Sequence, residues 1–302
     1  MPSWSIRMIV EVDMQTAVHK DTVKKPNSPP AAFNLHGVSI TENEFRQFKA
    51  WIYEMAGINL SDHKKALVMG RLGSRIRHYQ LGSYGEYFRL LTEGKHPSEL
   101  QIAVDLLTTN ETYFFREPKH FDFLREHVLR NHKPGRQLRI WSAASSTGEE
   151  PYSIAMTVAA ELGDGPWEIV ASDLSTRVLE RARSGHYSME RAKNIPHPLL
   201  VKYCLKGIDG QEGTFLIDHQ LRNRIQFMQI NLNAALPQLG EFDVIFIRNV
   251  MIYFDVTTKR QVVERMIPYL RRGGYMLVGH SESLNGITEK LKVVSPSIYV
   301  KP

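Results

Sequence analysis

Residues 138–156 read LRIWSAASSTGEEPYSIAM, and this stretch sets the expected fold. Its apolar beginning, 138–144, predicts a buried strand, and the pattern over 149–162 predicts a helix. The small residues between them, with Gly148, permit a tight turn and let a ligand approach the backbone closely. Further apolar runs rich in β-forming residues stand at 167–174, 225–232, 242–249 and 275–281. Helical patterns alternate with these runs, so the sequence predicts an α/β domain with a doubly wound, mainly parallel sheet.

The rest of the chain divides into three kinds of segment. Residues 36–107 carry only helical periodicity, opened by a capping-box pattern at Thr41, and predict a small all-helical N-terminal domain. Residues 108–302 hold the α/β domain. Within them, the glycine-bearing residues 186–224 interrupt the alternation and predict an inserted small antiparallel β-subdomain with a hairpin. Residues 1–35 are polar, basic and proline-rich, and we expect a mobile tail there.

Composition indicates a cellular compartment but does not identify a binding partner. The single cysteine, Cys204, cannot form an internal disulfide, which fits a reducing cytoplasm. No run of roughly 18 apolar residues predicts a membrane span, and the first residues lack the pattern of an export signal. We therefore expect a cytoplasmic protein without direct membrane insertion. The net charge of +6 suits nucleic acid, a membrane surface or an acidic protein, and does not choose among them.

Acidic residues follow the first two predicted strands, at the edge where such sheets bind ligands. Glu149 and Glu150 open a helix, where two carboxylates repel phosphate and favour an amine or a sulfonium. The alternative is that they only complement the helix dipole. Asp173 ends the second strand, where an acid accepts hydrogen bonds from a ribose diol. The alternative is that Asp173 starts a turn while Ser175 caps the next helix.

Two further segments bring polar groups toward the same edge. The domain junction reads TTNETYFFREP over 108–118, and its Arg116 is suited to a two-pronged hydrogen bond with a carboxylate. The alternative for Arg116 is a surface salt bridge. The strand and loop at 242–254 deliver Arg248 and Tyr253, although Tyr253 has the alternative of a buried aromatic with a backbone partner.

A basic stripe marks one face of a predicted helix at 61–79. Lys64, Arg71, Arg75 and His78 share this face at helical spacing, beside an apolar face. Such a stripe suits an acidic partner, although a charged face is ordinarily just solvated. No ligand spacing such as HExxH occurs, so no metal is predicted, and neither a GxSxG elbow nor a P-loop is present.

Five segments carry a resemblance to a known family: TTNETYFFREPKHF at 108–121, RIWSAASSTGEEPYSIAM at 139–156, ASDLSTRVLERARSGHY at 171–187, FDVIFIRNVMIYFD at 242–255 and GHSES at 279–283. Over about residues 40–299 the chain resembles the CheR family of chemotaxis receptor methyltransferases. The resemblance implies an S-adenosylmethionine methyltransferase fold and esterification of specific receptor glutamates, with S-adenosylhomocysteine as product. It implies as partner the cytoplasmic helical region of methyl-accepting chemotaxis receptors. It leaves open whether the insert also binds the receptors' C-terminal tail peptide. We expect a monomer.

The resemblance also implies site residues. Those expected at the cofactor are Asn110, Thr112, Arg116, Glu150, Asp173, Asn231, Leu232, Ile247 and Arg248. Arg116 and Tyr253 are expected to be catalytic, and Lys64, Arg71 and Arg75 to bind the substrate. The family usually has another residue at the position of Glu111, and its members do not need so long a tail.

The implied chemistry requires no strong general base, because a glutamate carboxylate is already ionised at neutral pH. Three other functions stay open at this stage. A methyltransferase acting on nucleic acid would fit the charge, although RNVMIYF stands where such enzymes tend to have an NPPY- or DPPY-like turn. A methyltransferase of a small molecule and a non-catalytic cofactor-sensing module are the remaining alternatives.

Overall fold

The computed structural model describes residues 37–302, and the tail predicted at 1–35 lies outside the described residues. The N-terminal part is helical, as predicted. Thr41 accepts a hydrogen bond from the Glu44 N–H while Glu44 reaches back, so the predicted capping box begins the first helix. The helices of the N-terminal part are α1 Glu42–Ala56, α2 Lys65–His78, α3 Tyr84–Thr92 and α4 Pro97–Leu107. They enclose their own apolar core around Phe48, Ile52 and Leu72.

The C-terminal part alternates strands and helices. In chain order its elements are α5 Lys119–Phe123, β1 Leu138–Ser142, α6 Glu149–Leu162, β2 Trp167–Asp173, α7 Thr176–Ser184, β3 His186–Ser188, α8 His197–Tyr203, β4 Cys204–Lys206, β5 Thr214–Ile217, α9 His219–Arg222, β6 Ile225–Gln229, β7 Phe242–Ile247, α10 Val256–Met266, β8 Leu270–Val278, β9 Lys292–Ser295 and β10 Ile298–Val300. A π-helical stretch, Leu124–Leu129, continues α5.

The main sheet has seven strands in the order β6-β2-β1-β7-β8-β10-β9. Its first five strands are mutually parallel, and β10 and β9 add to the β8 edge in antiparallel fashion. Separate apolar clusters cover the two faces, so β1 and β7 are buried almost throughout. This arrangement confirms the predicted doubly wound, mainly parallel sheet. The antiparallel edge strands β9 and β10 were not predicted.

The insert contains the predicted antiparallel sheet, with three strands in the order β3-β5-β4. Its aromatic core includes Tyr187 and Phe215, stacked at 5.6 Å between ring centroids. Phe114 of the domain junction packs edge-on against Tyr187 at 5.0 Å. The insert is therefore attached directly to the segment that joins the two domains.

Candidate active site

A cleft of about 420 Å³ lies at the carboxyl ends of the parallel strands. Residues following β1, β2, β6 and β7 form one side of it, and α2 with the domain junction forms the other. Small and apolar side chains, among them Ala143, Ala144, Ile230 and Leu232, make up much of the sheet side. Ligands of doubly wound sheets bind at this edge, which makes the cleft the candidate active site.

Most of the residues singled out in the sequence line this cleft: Lys64, Arg71, Asn110, Thr112, Arg116, Glu150, Asp173, Asn231, Leu232, Arg248 and Tyr253. Two do not. Ile247 is fully buried within β7. Arg75 donates to both carboxylate oxygens of Glu99, at 2.7 and 2.5 Å, and Glu99 is only 2% exposed. Arg75 is thus engaged inside the helical domain, and its place in a substrate-binding stripe has no support from the geometry.

Asp173 fixes the loop that follows β1. One carboxylate oxygen accepts the Ser146 N–H at 2.8 Å, and the other accepts the Ser175 N–H at 3.0 Å. Ser146 has a φ of 47°, a strained conformation for a residue with a side chain. Burial raises the pKa of the Asp173 carboxyl above its usual value, although these backbone N–H groups act to lower it. Ser175 also caps α7, so the turn-forming alternative for this segment holds alongside the placement of Asp173 in the cleft.

Gly148 allows the same loop to enter α6. Its φ is 96°, which side-chain-bearing residues rarely adopt. A Cβ at this position would come within 2.8 Å of the Tyr187 hydroxyl and 2.9 Å of the Ala182 Cβ. Tyr187 belongs to the insert and donates to the Thr147 carbonyl at 2.7 Å. The insert therefore packs against this loop and holds its backbone through the Tyr187 hydroxyl.

A buried charge network lies beneath the cleft. Arg248, 4% exposed, donates to Glu150 at 3.0 Å and to Glu117 at 3.0 Å, and also to the Arg116 carbonyl. Ser142 donates to the other oxygen of Glu150 at 2.7 Å. The sequence placed Arg248 at the ligand edge of the sheet, and the structure shows that its guanidinium joins two carboxylates. Glu117 was missed, because no motif or spacing in the sequence marks it as a partner of Arg248.

Arg116 keeps its guanidinium available at the cleft. It donates to the Glu111 carbonyl at 3.0 Å and lies over the Tyr113 ring, 5.6 Å from the centroid. Within residues 37–302 no carboxylate lies within ion-pair distance of this side chain. The surface salt bridge considered as its alternative is therefore not formed among these residues.

Two basic residues of the helical domain, Arg71 and Lys64, line the cleft. Arg71 donates to the carbonyl groups of Leu107 and Thr108, at 2.8 and 3.0 Å, and to the Thr109 hydroxyl at 3.0 Å. Its burial lowers the pKa of the guanidinium from its usual value. Arg71 thus secures the start of the domain junction, whereas Lys64 is exposed at the rim.

The chain is similar to one family over both of its parts. Residues 43–108 match the family model described as CheR methyltransferase, all-alpha domain. Residues 110–300 match the one described as CheR methyltransferase, SAM binding domain.

Individual proteins give the same result. The chain is 42% identical to the chemotaxis protein methyltransferase of Escherichia coli (strain K12), over 87% of this chain and 92% of that protein. It is 42% identical to chemotaxis protein methyltransferase 2 of Pseudomonas aeruginosa, over 90% and 98%. Among solved structures, N-methyltransferase NodS from Bradyrhizobium japonicum, in complex with S-adenosylhomocysteine, is 15% identical with a TM-score of 0.37, over 66% of this chain and 95% of that one.

Proposed function

The chain belongs to the CheR family of methyltransferases, and on that premise we propose that it methylates glutamate side chains of chemotaxis receptors. It is an S-adenosylmethionine-dependent methyltransferase. One observation carries the glutamate assignment. Arg116 presents a guanidinium, unpaired with any carboxylate among the described residues, in the same cleft as Glu150 and Asp173. Such a group suits a substrate whose reacting part is a carboxylate.

The residues of the cleft fit the cofactor. Asp173 is a carboxylate acceptor at the end of β2, suited to a ribose diol. Glu150 is an acid near the start of α6, suited to the cofactor's amino group. Asn231 and Leu232, after β6, are proposed to border the adenine, and Asn110 and Thr112 to close over the cofactor from the junction. When bound, the sulfonium supplies an electrophilic methyl group.

The protein's part in the reaction is positional. We propose that Arg116 orients the substrate carboxylate and that Tyr253, which lines the same cleft, shapes the path to the methyl group. An in-line approach at about 3 Å is the geometry that a positioned reaction needs. The substrate oxygen needs no base, since it is ionised at pH 7.

Replacing Arg116 with alanine should lower turnover by about 100-fold, the typical cost of misplacing a reactant by about 1 Å. Affinity for S-adenosylhomocysteine should change by less than about threefold, since Asp173 and Glu150 are untouched. Arg116→Lys should be intermediate, because it keeps the charge and loses the two-pronged geometry. Single-turnover kinetics with calorimetry would separate the two effects, and a normal rate for Arg116→Ala would remove the proposed role.

The proposed activity is tested by incubating the full chain with tritiated S-adenosylmethionine and membranes that contain chemotaxis receptors. We expect label in the receptors as base-labile methyl esters. An Asp173→Ala protein is the control for cofactor-dependent labelling. Label that enters added nucleic acid, or no label in any receptor, would contradict the proposal.

Recognition of the receptor is proposed to begin at the rim of the cleft. Lys64 is exposed there, beside Arg71, and receptor helices that present glutamates are acidic. Such charge pairing mainly speeds encounter and weakens as salt rises.

Reversing this charge with Lys64→Glu should lower receptor methylation roughly fivefold at low salt, and the loss should shrink at high salt. Cofactor affinity should be unchanged, because Lys64 is exposed at the rim and the proposed cofactor contacts come from the sheet edge and the junction. Lys95→Glu, an exposed position on the same domain outside the cleft lining, is the matched control. Equal methylation rates for Lys64→Glu, Lys95→Glu and the parent protein would favour a merely solvated face.

The insert is proposed to bind the C-terminal tail peptide of receptors by strand addition at the outer edge of β4. Gly207 N donates to Thr214 O at 3.0 Å and Asp218 N donates to Tyr203 O at 2.8 Å, across β4 and β5. Because antiparallel residues alternate, Lys206 directs its N–H to the outer edge. The N–H of Cys204 is already donated to the Leu200 carbonyl at the end of α8.

Lys206→Pro removes one outward N–H without removing a bond to β5, so it should weaken binding of receptor tail peptides at least tenfold. Lys206→Ala keeps the N–H and should bind like the parent chain. Fluorescence titration with extended C-terminal peptides measures both. The docking assignment fails if no peptide binds in the micromolar range, or if Lys206→Pro and Lys206→Ala bind alike.

We also propose a cytoplasmic, monomeric enzyme. None of the helices in residues 37–302 is long and apolar enough to cross a membrane.

A further inference from the structure

A second group of reactive side chains lies outside the cleft, where α5 meets the end of β8. Glu117 precedes α5, His120 is on it, and His280 follows β8. A carboxylate oxygen of Glu117 is 3.4 Å from His120 Nδ1 and 4.0 Å from His280 Nε2. One ligating atom from each of the three residues lies within 4.8 Å of the others. His120 is 1% exposed, whereas His280 is half-exposed.

The contacts around His120 favour one tautomer of its ring. The Ser297 hydroxyl donates its only proton to the Pro296 carbonyl at 2.6 Å. The same hydroxyl lies 2.8 Å from His120 Nε2, and when it donates to Pro296 it accepts from Nε2, which then carries the imidazole proton.

This tautomer leaves an acceptor facing an acceptor. His120 Nδ1 is buried with a bare lone pair, has no hydrogen-bond partner, and lies 3.4 Å from an oxygen of Glu117. Buried polar atoms are nearly always satisfied, and an unpartnered one calls for an explanation such as an ion. A cation between Nδ1 and the Glu117 oxygen would give Nδ1 the partner it lacks.

We propose that Glu117, His120 and His280 form a binding site for a divalent transition metal ion of the zinc type. The donor set of two imidazoles and one carboxylate suits such ions. Bond lengths to Zn²⁺ place tetrahedral ligands roughly 3.4 Å apart. The Glu117–His120 separation already meets this, and the exposed His280 ring needs only a small shift. Ser297 acts as the outer partner that holds the His120 tautomer.

The neighbouring Arg248 does not exclude a cation from this position. Its guanidinium is shared between Glu117 and Glu150, each at 3.0 Å, so the two carboxylates outweigh its charge. Oε2 of Glu117 accepts from Arg248 Nη2 at 3.0 Å and from Nε at a long 3.4 Å, so a metal ion at this oxygen would replace the weaker Nε contact. The site stands independently of the proposed methylation activity.

Titrating the EDTA-treated full chain with Co²⁺ tests the proposal, because bound Co²⁺ absorbs visible light and Zn²⁺ can then displace it. We expect one equivalent to bind. His280→Ala should weaken binding at least tenfold and should fold, because His280 is half-exposed. Ser297→Ala should weaken it roughly 10- to 100-fold, as loss of an outer partner does.

His63→Ala, at an exposed histidine on the helical domain, is the matched control and should bind Co²⁺ like the parent chain. Absence of a bound equivalent at 100 μM metal, roughly the weak limit for a specific protein site, would overturn the proposal. Equal affinity in the parent chain and in His280→Ala would overturn it as well.

Discussion

An Arg248→Met variant is expected to lose about 3–5 kcal/mol of unfolding free energy, the usual cost of removing one partner from a buried ion pair. The Arg248 side chain is 1% exposed, and Glu117 and Glu150 are each 12% exposed. Without the guanidinium, two carboxylates are left close together in a poorly solvated place. Urea unfolding followed by circular dichroism measures the loss.

The pKa directions in this network agree with that expectation. Burial acts to raise the pKa of Glu117, but Arg248 and the His280 N–H outweigh it and hold the pKa below its usual value. A carboxyl group with a depressed pKa stabilises the folded state at pH values above its pKa in the unfolded chain. That contribution is lost as the pH falls through its pKa in the folded state. Burial raises the pKa of Glu150 even though Arg248 and Ser142 act to lower it. Arg248 therefore offsets only part of the cost of burying Glu150.

Two controls make the Arg248 experiment specific. Arg89→Met removes an exposed arginine and should change the unfolding free energy by less than about 0.5 kcal/mol. Adding Glu117→Gln and Glu150→Gln to Arg248→Met should recover part of the loss, because the stranded charges are removed. A loss below about 1 kcal/mol for Arg248→Met would place the network among weak surface pairs.

Local patterns predicted much of the fold. The capping box at Thr41, the buried strands β1 and β7 and the glycine turn at Gly148 all depend on neighbours in sequence. The strands β9 and β10 were not predicted because they are short, with four and three residues. Three of the four residues in β9 are exposed. A segment without alternation gives no strand signal. These pairings form in the folded chain, where β10 adds to the edge of β8 and β9 adds to β10.

The site was predictable where a residue's place in its own strand or loop decides its position. Asp173 is such a case, since it ends a parallel strand. Arg75 shows the limit: helical spacing put it on the basic face with Arg71, but Glu99 of α4 packs against it. Which helix covers a face depends on tertiary packing. The same holds for the contact of Arg248 with Glu117, which are 131 residues apart.

Replacing Asp173 with alanine should weaken binding of S-adenosylhomocysteine by roughly 2–4 kcal/mol, the cost of leaving two buried hydroxyl groups unpaired. That is roughly 30- to 1000-fold in the dissociation constant. The structure adds a second reason for a large effect. The carboxylate also holds the Ser146 and Ser175 N–H groups, so its loss releases the loop beside the cofactor. Isothermal titration calorimetry on the folded variant measures the change.

Asp173→Asn separates these two contributions. The amide keeps the shape and one oxygen, which can still accept the Ser146 N–H, but its NH2 group then faces the Ser175 N–H and an acceptor for the diol is lost. If the ribose contact dominates, Asp173→Asn should bind the cofactor nearly as weakly as Asp173→Ala. If holding the loop dominates, Asp173→Asn should recover most of the affinity. Unchanged affinity in a folded Asp173→Ala protein would refute the ribose assignment, because no other acid follows β2 within the cleft lining.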